Sequence, residues 1–378
     1  MKILFVSSYS LLYGANRSLL TIVCFLRDNG YQVKVFIPRH GEYEKALKEN
    51  NIDYEVVSMF NQFLYYKPIK KYLILPFLIF WNVVMFPFYL LKIKKYNPDL
   101  IYSNAASECL GGLAAKCLGK KHLWHLREFM DRDYNARFYL GNKIRKKYIN
   151  WSDGAIFVSK AVADAMLLGD DLNDNQKVIY NGVDIPPIEL KETDLTKIHP
   201  NLGVVGVLSD GKGQKRAVEL LPQIVKTFPH AQLHIFGDRE NAYKQMLVEL
   251  AKKEGVFEHV VFHGFQKDLN VIYNNMDILL MFSKSEGFGR VTIEAMNYGV
   301  PVIGFNNAGT SEIVKDGETG FLFNTDEQFM DSLKALMKDN ASFNQVKREA
   351  YNVVREDFTV KQYCENVLSF VQVLLFNK

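Results

Sequence analysis

Between Ser283 and Gly304 the chain reads SKSEGFGRVTIEAMNYGVPVIG, beginning where the apolar run DILLMFS ends. Glycines after a strand let backbone approach a ligand, and the free N–H groups that open the next helix favour an anion. Glu286 falls in the loop and Glu294 one to two turns into the helix. Both carboxylates can therefore face one pocket, one beyond each end of a bound diphosphate. Two carboxylate oxygens suit the vicinal hydroxyls of a sugar or a ribose. EGFG alone equally describes a capped surface helix with two solvated glutamates, so the weight lies in the whole string.

A second loop, GVLSDGKG from Gly206 to Gly213, also follows a strand. It nearly matches the phosphate-cradling GxxxxGK[ST], but Gly213 stands where a hydroxyl would hold magnesium, and no apolar strand ends in a suitable acidic residue. That disfavours a P-loop NTPase. Lys212 is still well placed to neutralise a phosphate. In the third stretch, WHLREF, strand-end residues His125, Arg127 and Glu128 are expected to project from the sheet into a cleft. A histidine there can donate to a sugar hydroxyl, although a lone strand histidine is more often structural. Asp131-Arg132-Asp133 has the DxD form that holds a metal in some sugar transferases, but it follows REFM rather than capping a strand and reads as a solvated charge run. No other His, Asp or Glu grouping has metal spacing, and no required metal is expected. The turn before Gly14 lacks GxGxxG, which disfavours a dinucleotide-dependent dehydrogenase.

These loops need a sheet to hold them. Short apolar strands alternate with helical patterns: KILFVSS, QVKVFIP, DLIYSN, HLWHL, GAIFVS and KVIYN in one half, then LGVVGVL, QLHIFG, HVVFHG, DILLMFS, PVIGF and TGFLF. Such alternation predicts two α/β units with parallel, doubly wound sheets and ligands at the carboxyl ends of the strands. The charged, proline-bearing stretch between them reads as a linker over 185–200. The expected domains are therefore 1–184 and 201–357, with a last helix over 358–378 packing back on the first. The 378 residues suit two domains, and 48% hydrophobic residues supply their cores. A net charge of +4 gives no case for nucleic acid. Cys24, Cys109, Cys117 and Cys364 form no CxxC pair and read as reduced thiols of a cytoplasmic protein. The apolar run in MKILFVSSYS is too short for a signal peptide.

One segment departs from this pattern. Tyr72–Leu91 is apolar except for Asn82, contains Pro76 and Pro87, and is flanked by Lys67, Lys70, Lys71, Lys92, Lys94 and Lys95. It is long enough to span a bilayer, yet a span would split one α/β domain. It also reads as a buried core helix. The lysines on both sides favour a third reading, a helix lying in the membrane interface.

Together these strings resemble the retaining glycosyltransferases of family 4, which have the GT-B fold of two Rossmann-like domains facing a central cleft. The likeness runs through NPDLIYSNAAS, WHLREF, IFVSKAVAD, VIYNGVD, HIFGD, VVFHGFQKDL and SEGFGRVTIEAMNYGVPVIGF; the Glu286/Glu294 spacing is its most specific mark. The resemblance implies that Glu286 and the backbone of Phe288 and Gly289 hold the donor sugar, that Glu294 binds ribose and that Lys212 stabilises the leaving diphosphate. His125 then contacts the transferred sugar, Gly14 lies near the phosphates and acceptor, and Gly264-Phe265 lines the base. The family often has an arginine where this chain has Val207; Arg290 or Arg216 is a candidate replacement. The expected activity is transfer from a nucleoside-diphosphate sugar, without further cofactor, to a glycan or lipid-linked acceptor of a bacterial surface polysaccharide. The enzyme is expected to sit peripherally on the cytoplasmic face of the membrane through 72–91. The alternatives are a nucleotide-sugar epimerase of the same architecture and a non-catalytic membrane-associated partner protein.

Overall fold

The computed structural model describes residues 1–60, 62–65, 73–196, 199–238 and 242–376. Lys67, Lys70, Lys71 and Tyr72 lie outside the described residues. The chain divides into two compact units: Met1–Gly182 together with Val360–Lys378, and Val183–Thr359.

In the first unit β1 (Lys2–Ser7), β2 (Gln32–Ile37), β3 (Asp53–Val56), β5 (Leu100–Asn104), β6 (Lys121–Leu126), β8 (Gly154–Phe157) and β9 (Gln176–Val178) form a parallel sheet in the order β3-β2-β1-β5-β6-β8-β9. A short antiparallel pair joins β4 (Phe63–Tyr65) to β7 (Ala136–Phe138). The central strands are buried along nearly their whole length, as helices on both faces require. Helix Gly14–Asp28 and the C-terminal helix Val360–Phe376 cover one face; Tyr363, Cys364, Val367 and Val371 share a core with Phe5, Leu19, Leu26 and Tyr102.

The second unit is a parallel sheet of β10 (Asn201–Val205), β11 (Gln232–Phe236), β12 (Val260–Gly264), β13 (Ile278–Met281), β14 (Val302–Phe305) and β15 (Phe321–Phe323), ordered β12-β11-β10-β13-β14-β15. The strand order reverses between β10 and β13 here, and between β1 and β5 in the first unit. At such reversals adjacent loops diverge and leave a crevice. The stretch from Ile185 is irregular and tied to helix Asn340–Asp357, where Asn344 and Tyr351 bond the backbone of Thr193 and Ile188.

The apolar segment forms one helix, Leu75–Tyr96, running through Pro87. It is long and apolar enough to cross a membrane by length and composition, and 17% of its most apolar stretch is buried. That corrects the core-helix reading. Only Asn82, Tyr89 and Ile93 are buried; Tyr89 and Ile93 pack with Phe36, Val57 and Ala114.

Candidate functional site

In the second unit the loop after β10 lies on the loop after β13. A side chain at Gly213 (φ +76°) would place its Cβ 2.3 Å from the Phe282 carbonyl oxygen, so the close approach depends on glycine. It brings Lys212, in the turn Asp210–Lys212, to Glu286, with Nζ and Oε2 2.8 Å apart. Both side chains are part-exposed, so the pair meets solvent at the strand-order reversal. A second contact fixes the Glu286 backbone: Gly309 N–H donates to its carbonyl at 2.9 Å, and a Cβ on Gly309 would strike Phe288 O at 2.4 Å.

Helix Arg290–Asn297 begins after Gly289, whose φ of +101° sharply turns the chain. The Thr292 amide turns back to the Gly289 carbonyl at 3.0 Å, and the helix start carries the positive end of the helix dipole. Glu294 accepts a hydrogen bond from the Tyr273 hydroxyl at 3.0 Å and lies 3.7 Å from the Arg290 guanidinium. Burial and the Glu294 charge hold the Tyr273 phenol far above its ordinary pKa, so it remains a donor. The Phe288 ring is buried 6.0 Å from that of Phe358, which leaves only its backbone for a ligand. Phe265 follows Gly264 (φ +68°) and is 58% exposed. Arg216 is committed elsewhere: it grips Asp326 at 2.5–3.0 Å and lies 5.2 Å over both Phe305 and Phe323. Val207 is exposed.

In the first unit Gly14 opens helix Gly14–Asp28 and is exposed, while buried Asn16 braces the preceding loop through the carbonyls of Tyr9 and Leu11. WHLREF corrects the expectation of three projecting side chains: His125, Arg127 and Glu128 are all buried. The reason is internal bonding. Glu128 caps Ala106 N–H, and Arg127 bonds Asn104, Asn181, Tyr363 and His125. His125 Nδ1 is 2.6 Å from the Tyr102 hydroxyl, whereas its Nε2 is buried with no partner among the described residues. Burial, then the Arg127 charge, pushes the imidazole well below its usual pKa, so it is neutral. An unpaired buried N–H costs about 1–3 kcal/mol, which a ligand hydroxyl would relieve. Asp131 and Arg132 are exposed in a short helix, Asp131–Tyr134.

The structure brings the expected Lys212 and Glu286 together and sets Tyr273 on Glu294, whereas sequence spacing did not single out Tyr273, Tyr102, Asn104, Asn181 or Tyr363. Their partners lie up to 236 residues away, and no local pattern marks them.

Two family models match: Glycosyltransferase Family 4 over residues 13–185 and Glycosyl transferases group 1 over residues 190–353. Lipopolysaccharide 1,6-galactosyltransferase of Salmonella typhimurium is 25% identical over 240 residues, 61% of this chain and 63% of that protein. Spore coat protein SA of Bacillus subtilis is 26% identical over 218 residues, 51% and 57% of the two chains. The chain thus spans less than two thirds of the length of these curated relatives. The crystal structure of Anabaena HepE in complex with UDP and glucose superposes with a TM-score of 0.79 at 22% identity, over 98% of this chain and 99% of that one. A likeness at that identity establishes the fold.

Proposed function

We propose that this chain, which belongs to the two-domain glycosyltransferases of the GT-B fold, transfers a sugar from a nucleoside-diphosphate sugar to an acceptor hydroxyl with retention of configuration and without a metal. The observation that carries this reading is the Lys212–Glu286 pair at the β10/β13 reversal, followed by Glu294 eight residues on and a helix N-terminus between them. A diphosphate entering there exchanges the Glu286 partner of Lys212 for its own oxygens, and frees Glu286 to accept from sugar hydroxyls. Glu294, held by Tyr273, grips the ribose. As the glycosidic bond breaks, positive charge grows on the sugar ring and negative charge on the leaving phosphate. Lys212 and the amides after Gly289 stabilise that negative charge where it develops. His125 presents its Nε2–H to the transferred sugar. The UDP bound to HepE supports a uridine donor first among the candidates.

The acceptor is a lipid-linked glycan of a surface polysaccharide, met at the cytoplasmic face of a membrane. The exposed apolar helix Leu75–Tyr96 and the basic helix Asn142–Trp151 support that reading. Thermal melting with UDP-, GDP- and ADP-sugars, beside Lys212→Ala, tests the donor. A donor at a hundred times its dissociation constant stabilises by about 2.7 kcal/mol. One nucleotide class should raise the melting temperature, less so in the variant; no shift with any class would overturn the reading.

A further inference from the structure

The protonation state of the buried His125 ring is set by its neighbours. Arg127 has donors only and does not lose its proton in a protein. Its Nη2 lies 3.2 Å from His125 Nδ1, and the Tyr102 hydroxyl lies 2.6 Å from the same atom. Nδ1 therefore accepts, and the ring hydrogen resides on Nε2, the buried atom without a partner among the described residues. Arg127 is itself fixed at every corner. Its Nε donates to Asn104 at the end of β5, Nη1 to Asn181 at 2.7 Å, and Nη2 also to the Tyr363 hydroxyl at 2.9 Å. Tyr363 belongs to helix Val360–Phe376, so a side chain near the end of the chain completes the support of a histidine in β6.

We propose that Arg127, locked by Asn104, Asn181 and Tyr363, is a positioning residue that holds His125 as the neutral Nε2–H tautomer, a fixed hydrogen-bond donor to the transferred sugar. The sugar contact rests on the transferase reading; the tautomer does not. A neutral ring matters because the transition state is positive at the anomeric carbon, and an imidazolium facing it would repel that charge. Among the described residues, the titratable and charged groups that face the ring are Tyr102 from β5, Arg127 after β6 and Tyr363 from the C-terminal helix. Tyr43 and Cys364 stand behind them, interacting with Arg127 and Tyr102 respectively. Among these only Arg127 is charged near neutrality, and it lies on the side of the ring away from Nε2.

The test combines nitrogen-15 NMR of the eight histidine rings, with His125 assigned by loss of its signal in His125→Asn, and transfer kinetics against pH. Wild type should show His125 as the Nε2–H form without titration from pH 5 to 8, and a flat acid limb of kcat. Arg127→Met removes the donor that fixes Nδ1 as an acceptor, so the Nδ1–H form should appear in the spectrum and kcat should fall about a hundredfold, with donor KM within about twofold. Arg127→Lys should recover part of the rate. Tyr363→Phe, which deletes one hydroxyl, should shift the tautomer balance in the same direction and covers the case in which Arg127→Met does not fold. An Nδ1–H ring in wild type, a wild-type ring that titrates between pH 5 and 8, or an Arg127→Met enzyme with unchanged kcat and an unchanged Nε2–H ring would overturn the proposal. Absence of transfer from every donor would instead sink the transferase reading, and the tautomer would still be judged by its spectrum.

Discussion

At the scale of single residues, function and stability are separable by what each side chain bonds. Tyr273 touches Glu294 through one hydroxyl, so Tyr273→Phe keeps the packing and removes the brace. Loss of one hydrogen bond to a charged group costs about 1.5–3 kcal/mol, and steady-state kinetics should show donor KM rising roughly tenfold or more with kcat nearly kept. Glu108 behaves differently. Burial raises its carboxyl to about 7, partly offset by the Gly111 and Leu110 amides that it accepts from. Because the folded state holds the proton more tightly than the unfolded chain, stability is greatest below the unfolded pKa and falls as pH rises to about 7. Glu108→Gln keeps an acceptor and removes the titration, so melting should show it gaining on wild type by up to about 3 kcal/mol between pH 4.5 and 8. Glu286, Glu294 and Lys212 were legible in the sequence because loop, glycine and helix start are adjacent in the chain. Arg127 was visible as a residue, but its direction was not: it turns inward because its four acceptors come from β5, β6, Asn181 and the C-terminal helix.

At the scale of elements, helix Leu75–Tyr96 reverses the usual sense of amphipathicity. The one polar residue in its apolar run faces the protein. Asn82 accepts from Phe60 N–H and donates to Phe60 C=O, each at 2.9 Å, and Tyr89 and Ile93 continue that inner stripe. Phe77, Phe80, Val83, Phe88 and Leu91 face outward. A sequence that is apolar all round could not say which side was which, because the deciding partner, a backbone amide and carbonyl, lies 22 residues away. The two faces predict opposite phenotypes. Phe80→Asp with Val83→Asp alters residues 65% and 66% exposed, and should leave the melting temperature unchanged while abolishing co-sedimentation with anionic vesicles. Asn82→Ala leaves the Phe60 N–H without its acceptor, while the Phe60 carbonyl keeps Gln62 Nε2 at 2.6 Å, and should cost about 1–3 kcal/mol in melting without changing the outer face. Vesicle binding that survives the double aspartate would remove the helix as the membrane contact.

At the scale of the whole molecule the chain path divides the labour unequally. The first unit needs two separate segments, since Tyr363, Cys364, Val367 and Val371 complete the core built on Phe5 and Tyr102. Strand alternation in the sequence revealed both sheets, because fully buried parallel strands carry continuous apolar runs. It could not reveal the Asn104–Arg127–Tyr363 linkage, which depends on where the last helix lands. The second unit is one continuous stretch, Val183–Thr359, with its own core of Leu202, Val204, Leu221, Ile235, Leu280, Ile303 and Phe329 around the loops that carry Lys212 and Glu286. Residues 183–359 expressed alone should therefore melt in one cooperative transition. They should also be stabilised by the same nucleotide-sugar class as the full chain, by about 2.7 kcal/mol at a hundred times the dissociation constant. The Lys212→Ala fragment should lose most of that gain, and no fragment should transfer sugar because His125 lies outside it. A gradual melt, or a cooperative one indifferent to every donor, would show that donor binding needs more of the chain than the loops following β10 and β13.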